Sequence, residues 1–275
     1  MRMKWIAVVV LVACGAPQVR PAPRRAAYVG DVVAVASDHR ARSRVVRLVR
    51  ERRITDVIPY GMGTLLASAE GRAVLAAWID EVHAAGGRVT APVAGADRVR
   101  ALALLVEEHP RVWFDGLVTE HEYWNRVDRA AALDELIALL ATMRAQAAAW
   151  TVAGRSPAIG AYLGYPTAAE ARRLAAAVDF VFLDYSVRTP ARAWHHVHGR
   201  GGPLRERFAW FARAGVDVWP IFYAAGEVDM QPALRAEGAA RAEARFREDL
   251  AADADLGDRR VTGFVYFTFE ALPDP

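Results

Sequence analysis

From Asp31 onward, short apolar runs rich in β-branched residues alternate with longer stretches whose apolar positions recur every three or four residues. Val32-Val33-Ala34-Val35 is a continuous apolar run, as a strand covered on both faces requires, and it predicts the first strand. A helix follows over 43–53, with Val45, Val46, Leu48 and Val49 on its inner side. The pattern places further strands at 54–60, 88–93, 112–120, 157–163, 180–183, 216–222 and 261–267. Helices are expected at 71–85, 96–108, 127–150, 167–177, 204–214 and 237–251, the first of these stopped by Gly86-Gly87. Eight strands with helices between them predict the α/β class and a (β/α)8 TIM barrel. A doubly wound sheet usually carries a glycine-rich loop after its first strand, whereas Ser37-Asp38-His39-Arg40 contains no glycine. Pro275 comes so soon after the eighth strand that a full closing helix is not expected.

Composition narrows the class. At 54% hydrophobic and 24% charged residues the chain can bury a large core, which excludes disorder. One cysteine excludes a disulfide framework and any multi-thiolate metal site. The N-terminus reads as an address. Met1 to Lys4 is a short basic region, Trp5 to Val12 an apolar one, too short to span a bilayer. Leu11-Val12-Ala13-Cys14 resembles a bacterial lipobox, which implies cleavage before Cys14 and lipidation of its thiol. Removing Arg2 and Lys4 leaves the remaining arginines almost balanced against 32 acidic residues, so no nucleic-acid partner is expected. The predicted organisation is a signal peptide over 1–13, a lipidated cysteine and proline-rich tether over 14–30, and a barrel over 31–275. A monomer held at the cell envelope through its lipid is expected, with the outer membrane favoured over the inner because Gly15 follows the cysteine.

In a barrel of this kind the chemistry sits at the C-terminal ends of the strands. Those ends offer Asp38 and His39, Tyr60, Glu120 and Glu122, Tyr162 and Tyr165, Asp184 and Tyr185, Tyr223 and Glu227, and Phe267 and Glu270. Aromatic faces beside paired acids suit sugar chemistry: apolar sugar faces stack on rings, and acids move protons. Glu120 and Glu122, two positions apart on one strand, would share a face at about 6.7 Å between Cα atoms while His121 points away. Two carboxylates so close disfavour double ionisation, which keeps a proton on one of them near neutral pH. Trp124 and Asn125 extend the cluster. His195, His196 and His198 crowd one loop, but three histidines in four residues converge poorly on a metal, and neither metal nor cofactor is expected.

Asp115-Gly116-Leu117-Val118-Thr119-Glu120-His121-Glu122 resembles the fourth-strand signature of glycoside hydrolase family 18, the chitinases and endo-β-N-acetylglucosaminidases. Asp115, Gly116 and Glu122 match it, Glu120 replaces an aspartate, and Val118 stands where another aspartate belongs. Weaker echoes are Pro92-Val93-Ala94-Gly95, Leu183-Asp184-Tyr185-Ser186 and Gly263-Phe264-Val265-Tyr266-Phe267. The resemblance implies an N-acetylglucosamine-containing glycan as substrate and Glu122 as general acid. It further implies attack by the substrate's own N-acetyl oxygen, an oxazolinium steadied by Glu120, and Tyr185 on the acetamido group. Tyr60, Trp124, Asn125, Asp184, Tyr223, Phe267 and Glu270 would line the sugar groove. Two alternatives stay open: a non-catalytic glycan-binding lipoprotein, and a retaining glycosidase using Glu122 with Glu227.

Overall fold

The computed structural model describes residues 23–51, 53–150, 156–185, 204–223, 234, 236–251 and 260–268. Eight parallel strands close into a barrel in chain order: β1 (Arg24–Val29), β2 (Asp56–Pro59), β3 (Arg88–Val93), β4 (Gly116–Thr119), β5 (Ala158–Leu163), β6 (Phe180–Asp184), β7 (Asp217–Tyr223) and β8 (Gly263–Phe267). The ring shuts where β1 runs parallel to β8, with Ala26 opposite Val265. This is the (β/α)8 architecture that the alternating pattern predicts. Around it lie α1 (Val32–Ser37), α2 (His39–Arg50), α3 (Gly63–Leu66), α4 (Ala69–Ala84), α5 (Ala96–Glu108), α6 (Arg129–Ala149), α7 (Ala168–Ala175), α8 (Leu204–Arg213) and α9 (Ala239–Ala251). Among the described residues no helix is long and apolar enough to cross a membrane.

The first strand is displaced from its expected position. Val32–Ser37 is helical, because Asp31 accepts the Ala34 N–H at 3.0 Å and only Val32, Val35 and Ala36 are buried, a helical spacing. Asp38 then caps α2 through the N–H groups of Arg40 and Ala41. Asp38 and His39 are therefore exposed residues at a helix start and not part of the barrel mouth. The strand itself lies in the segment assigned to the tether, so the barrel begins by Arg24 and the boundary at 31 moves back. Arg24 and Arg25 can enter a strand because both charges are matched. Arg24 turns into the barrel base to pair with Asp56. Arg25 turns outward, donating to both carboxylate oxygens of Glu243 on α9 at 2.7 Å, and Tyr266 of β8 donates to the same carboxylate. This clamp ties both sides of the barrel seam to one helix.

The barrel interior is filled, not hollow. Ala26, Tyr28, Ile58, Val118, Phe182, Trp219, Ile221 and Val265 form its buried core. Two glycines admit its large rings: a Cβ at Gly160 would fall 2.2 Å from Phe180, and one at Gly263 would fall 2.5 Å from Trp219. The outer core lies between strands and helices, where Leu117, Ile159, Leu183 and Phe222 meet the helix faces.

Candidate active site at the barrel mouth

β4 ends at Thr119, where its pairing with β3 and β5 stops, so Glu120 and Glu122 lie just beyond it and not within one strand as expected. The consequence is an unequal pair. Glu120 is largely withdrawn from water, accepts a hydrogen bond from the Tyr28 hydroxyl and lies within reach of the Glu122 charge. Burial, reinforced by the Glu122 charge and only partly opposed by Tyr28, pushes the Glu120 carboxyl up from 4.5 to about 7. Glu122 sits exposed on the rim at the start of the short 3-10 turn Tyr123–Asn125, where the Asn125 amide donates to it at 2.7 Å. His121 points away toward Glu135 on α6, as the alternation predicts.

Rings enclose the pair. Tyr28 meets Phe267 at 5.1 Å between centroids, Tyr60 meets both at 6.2 Å, and Tyr223 stacks on Phe267 at 4.7 Å and 22°. Across the mouth, Trp124 stands edge-on to Tyr162 at 5.3 Å. Gly164 makes room for that indole, since a Cβ there would fall 2.7 Å from it. The hydroxyls report their neighbours. Tyr60 is raised above its ordinary value first by Glu120, then by burial and Glu122. Tyr162 is raised well above the tyrosine range by burial, then by Asp184 and Glu122. Tyr165 is pushed up to about 12 by burial and by the Asp184 carboxylate to which its hydroxyl donates. Beneath it the buried Arg207 lies 5.0 Å from the Tyr165 ring and donates to the Gly164 carbonyl at 2.5 Å.

The surrounding loops are fixed by Glu170. It accepts from Arg129 at 2.6 and 2.7 Å, from the Tyr123 hydroxyl at 3.2 Å and from the Thr167 N–H at 2.7 Å. Arg129 also donates to the Tyr165 carbonyl at 2.5 Å. The loops after β4 and β5, which carry Trp124 and Tyr165, are thus tied together.

The structure therefore gathers Tyr60, Glu120, Glu122, Trp124, Asn125, Asp184, Tyr223 and Phe267 at one end of the barrel. Tyr185 is corrected: it is fully buried among Phe222 and Phe246, 4.9 Å from the latter on α9, so it faces the helices and cannot touch a ligand in the mouth. Asp115 sits at the opposite end. Its carboxylate accepts from the Val89 N–H at 2.9 Å and meets His83 at 3.2 Å, and these bonds outweigh burial to hold it below its usual value. It anchors the base of β4 to β3. Cys14, His195, His196, His198, Glu227 and Glu270 lie outside the described residues. Tyr28, Tyr162, Tyr165 and Arg207 complete the mouth; Tyr28 was hidden by the misplaced first strand.

The sequence matches no protein-family model and no curated protein. Solved structures match in fold. A GH18 chitinase from Pseudoalteromonas aurantia superposes with a TM-score of 0.54 at 11% identity, covering 90% of this chain and 95% of that one. A chitinase from Chromobacterium violaceum gives 0.51 at 12%, covering 92% and 96%. A GH5_18 protein from Streptomyces cattleya, solved in complex with GlcNAc, gives 0.56 at 15%, covering 92% and 74%. The shared feature at these identities is the barrel; glycoside hydrolases are among the proteins built on it.

Proposed function

We propose that this protein is a glycoside hydrolase acting on N-acetylglucosamine-containing glycans, carried at the bacterial cell envelope on a lipid attached to Cys14. The observation that carries the proposal is the carboxyl of Glu120, which keeps a proton to about pH 7 inside a ring of aromatic side chains at the catalytic end of the barrel. Proton donation to a glycosidic oxygen needs such a group. We therefore assign the general acid to Glu120, although the family signature favours Glu122. Glu122, exposed and oriented by Asn125, is the carboxylate that faces the developing positive charge at the anomeric carbon. Tyr223 and Phe267 form one stacking wall, and Trp124 with Tyr162 the other. Structural neighbours that include a chitinase and a protein solved in complex with GlcNAc are consistent with an N-acetylated sugar.

The test is hydrolysis of a panel of N-acetylglucosamine oligosaccharides by the full chain. Release that disappears in Glu120→Gln supports the proposal. Sugar binding without release favours a glycan-binding barrel, and neither binding nor release contradicts both. A second substitution probes the groove. Gly164→Ala should push Trp124 off Tyr162 and weaken oligosaccharide binding about tenfold, with little change in melting temperature. Unchanged affinity would remove Trp124 from the binding surface.

A further inference from the structure

A second groove opens beside the mouth, between the loops that follow β2 and β3. It is an open depression of about 610 Å³, walled largely by small residues, among them Gly63, Ala67, Ala94 and Ala101. Arg98, in the first turn of α5, supplies its cation. The end of the guanidinium rests against Gly63, where a Cβ would fall 2.5 Å from Nη2, so the glycine is what lets it seat there. The Arg98 N–H donates to the Gly95 carbonyl at 3.0 Å, but among the described residues its guanidinium has no hydrogen bond or ion pair. The nearest acid in the groove, Asp97, is paired with Arg100. Arg98 is half-buried, and burial lowers its pKa with no carboxylate to offset the loss of water. Gly95, which precedes α5, offers no side chain to cap the helix, and among the described residues lining the groove Asp97 is the one acid. Gly63 follows β2 and Gly95 follows β3, so the groove opens at the same end of the barrel as the aromatic mouth.

A guanidinium withdrawn from water without a partner is unfavourable, and a ligand anion would reverse that cost. We propose that the Arg98 groove is an anion subsite that receives a carboxylate borne by the glycan in the mouth, making the substrate an acidic N-acetylated chain. This inference rests on the proposed glycan activity. Arg98 suits the task because its planar fork can take both carboxylate oxygens at once.

The experiment compares binding of two oligosaccharides to the full chain: one of N-acetylglucosamine alone, and one in which alternate N-acetylated sugars carry a lactyl-ether carboxylate. The methyl ester of the second serves as a neutral control. The wild type is expected to favour the free carboxylate about tenfold over its ester. Arg98→Gln should abolish that preference while leaving affinity for the neutral chain unchanged, and Arg98→Lys should retain part of it. The Arg98 Nε–Hε resonance is followed in parallel during titration with acetate and with phosphate. Equal binding of free acid and ester, with Arg98 unmoved, overturns the subsite while the glycan activity stands. Failure of every glycan to bind, with Arg98 still shifted by the free anions, keeps an anion site but removes the glycan as its source. An Arg98 resonance silent to all probes overturns the proposal entirely.

Discussion

Glu120→Gln is expected to lower cleavage of an unactivated N-acetylglucosamine oligosaccharide by about two to four orders of magnitude, the range for loss of a general acid. Cleavage of an aryl glycoside should fall much less, because a phenolate leaves without needing a proton. That split separates an acid from a residue that merely shapes the mouth: equal losses on both substrates would contradict the assignment to Glu120. The pH dependence follows from the same group. An acid works while protonated, so activity should hold below about pH 7 and decline above it. Stability carries the matching sign. The folded chain keeps a proton that the unfolded chain releases near 4.5, so this group's contribution is complete at low pH and is lost as pH rises to about 7. Glu120→Gln should flatten that part of the stability profile.

The second large effect is on the fold. Glu243 is 6% exposed and Arg25 29%, and the hydroxyl of buried Tyr266 bonds to the same carboxylate. Glu243→Ala leaves a cation and a hydroxyl without their partner at the seam between β1 and β8. Allowing for the water that Arg25 retains, the expected loss is about 3 kcal/mol, or roughly 8 °C in melting temperature. Glu243→Gln, which still accepts a hydrogen bond but carries no charge, should lose about half as much. Thermal unfolding followed by circular dichroism checks both. A Glu243→Ala variant within about 1 kcal/mol of the wild type would mean that the ladder between β1 and β8 closes the barrel without the clamp.

The elements most legible in the sequence are those whose signals are local. β3 and α5 fall where the pattern puts them, because an apolar run and a helical repeat are bounded there by Gly86-Gly87 and Gly95. β1 was hidden because its evidence is distant: Arg24 and Arg25 resemble a solvated tether until Asp56 and Glu243 are brought to them by the fold. Meanwhile Val32–Val35 reads as a strand unless Asp31 and Asp38 are recognised as helix caps. At the site, the sequence finds both acids and most of the rings, yet not which acid is buried. That depends on where the neighbouring strands stop pairing with β4, a property of the barrel and not of the segment. Tyr185 could have been placed correctly. Adjacent strand residues point to opposite faces, so Asp184 and Tyr185 cannot both address the mouth.

Titration of the Glu120 side-chain carboxyl by carbon-13 NMR, in the wild type and two variants, tests the proton-holding role most directly. The midpoint should lie at about 7 in the wild type. Glu122→Gln removes a like charge and should lower it; Tyr28→Phe removes the donor that favours the carboxylate and should raise it. A wild-type midpoint in the ordinary glutamate range, about 4 to 5, or shifts of the same sign in both variants, would contradict Glu120 as the acid of this barrel.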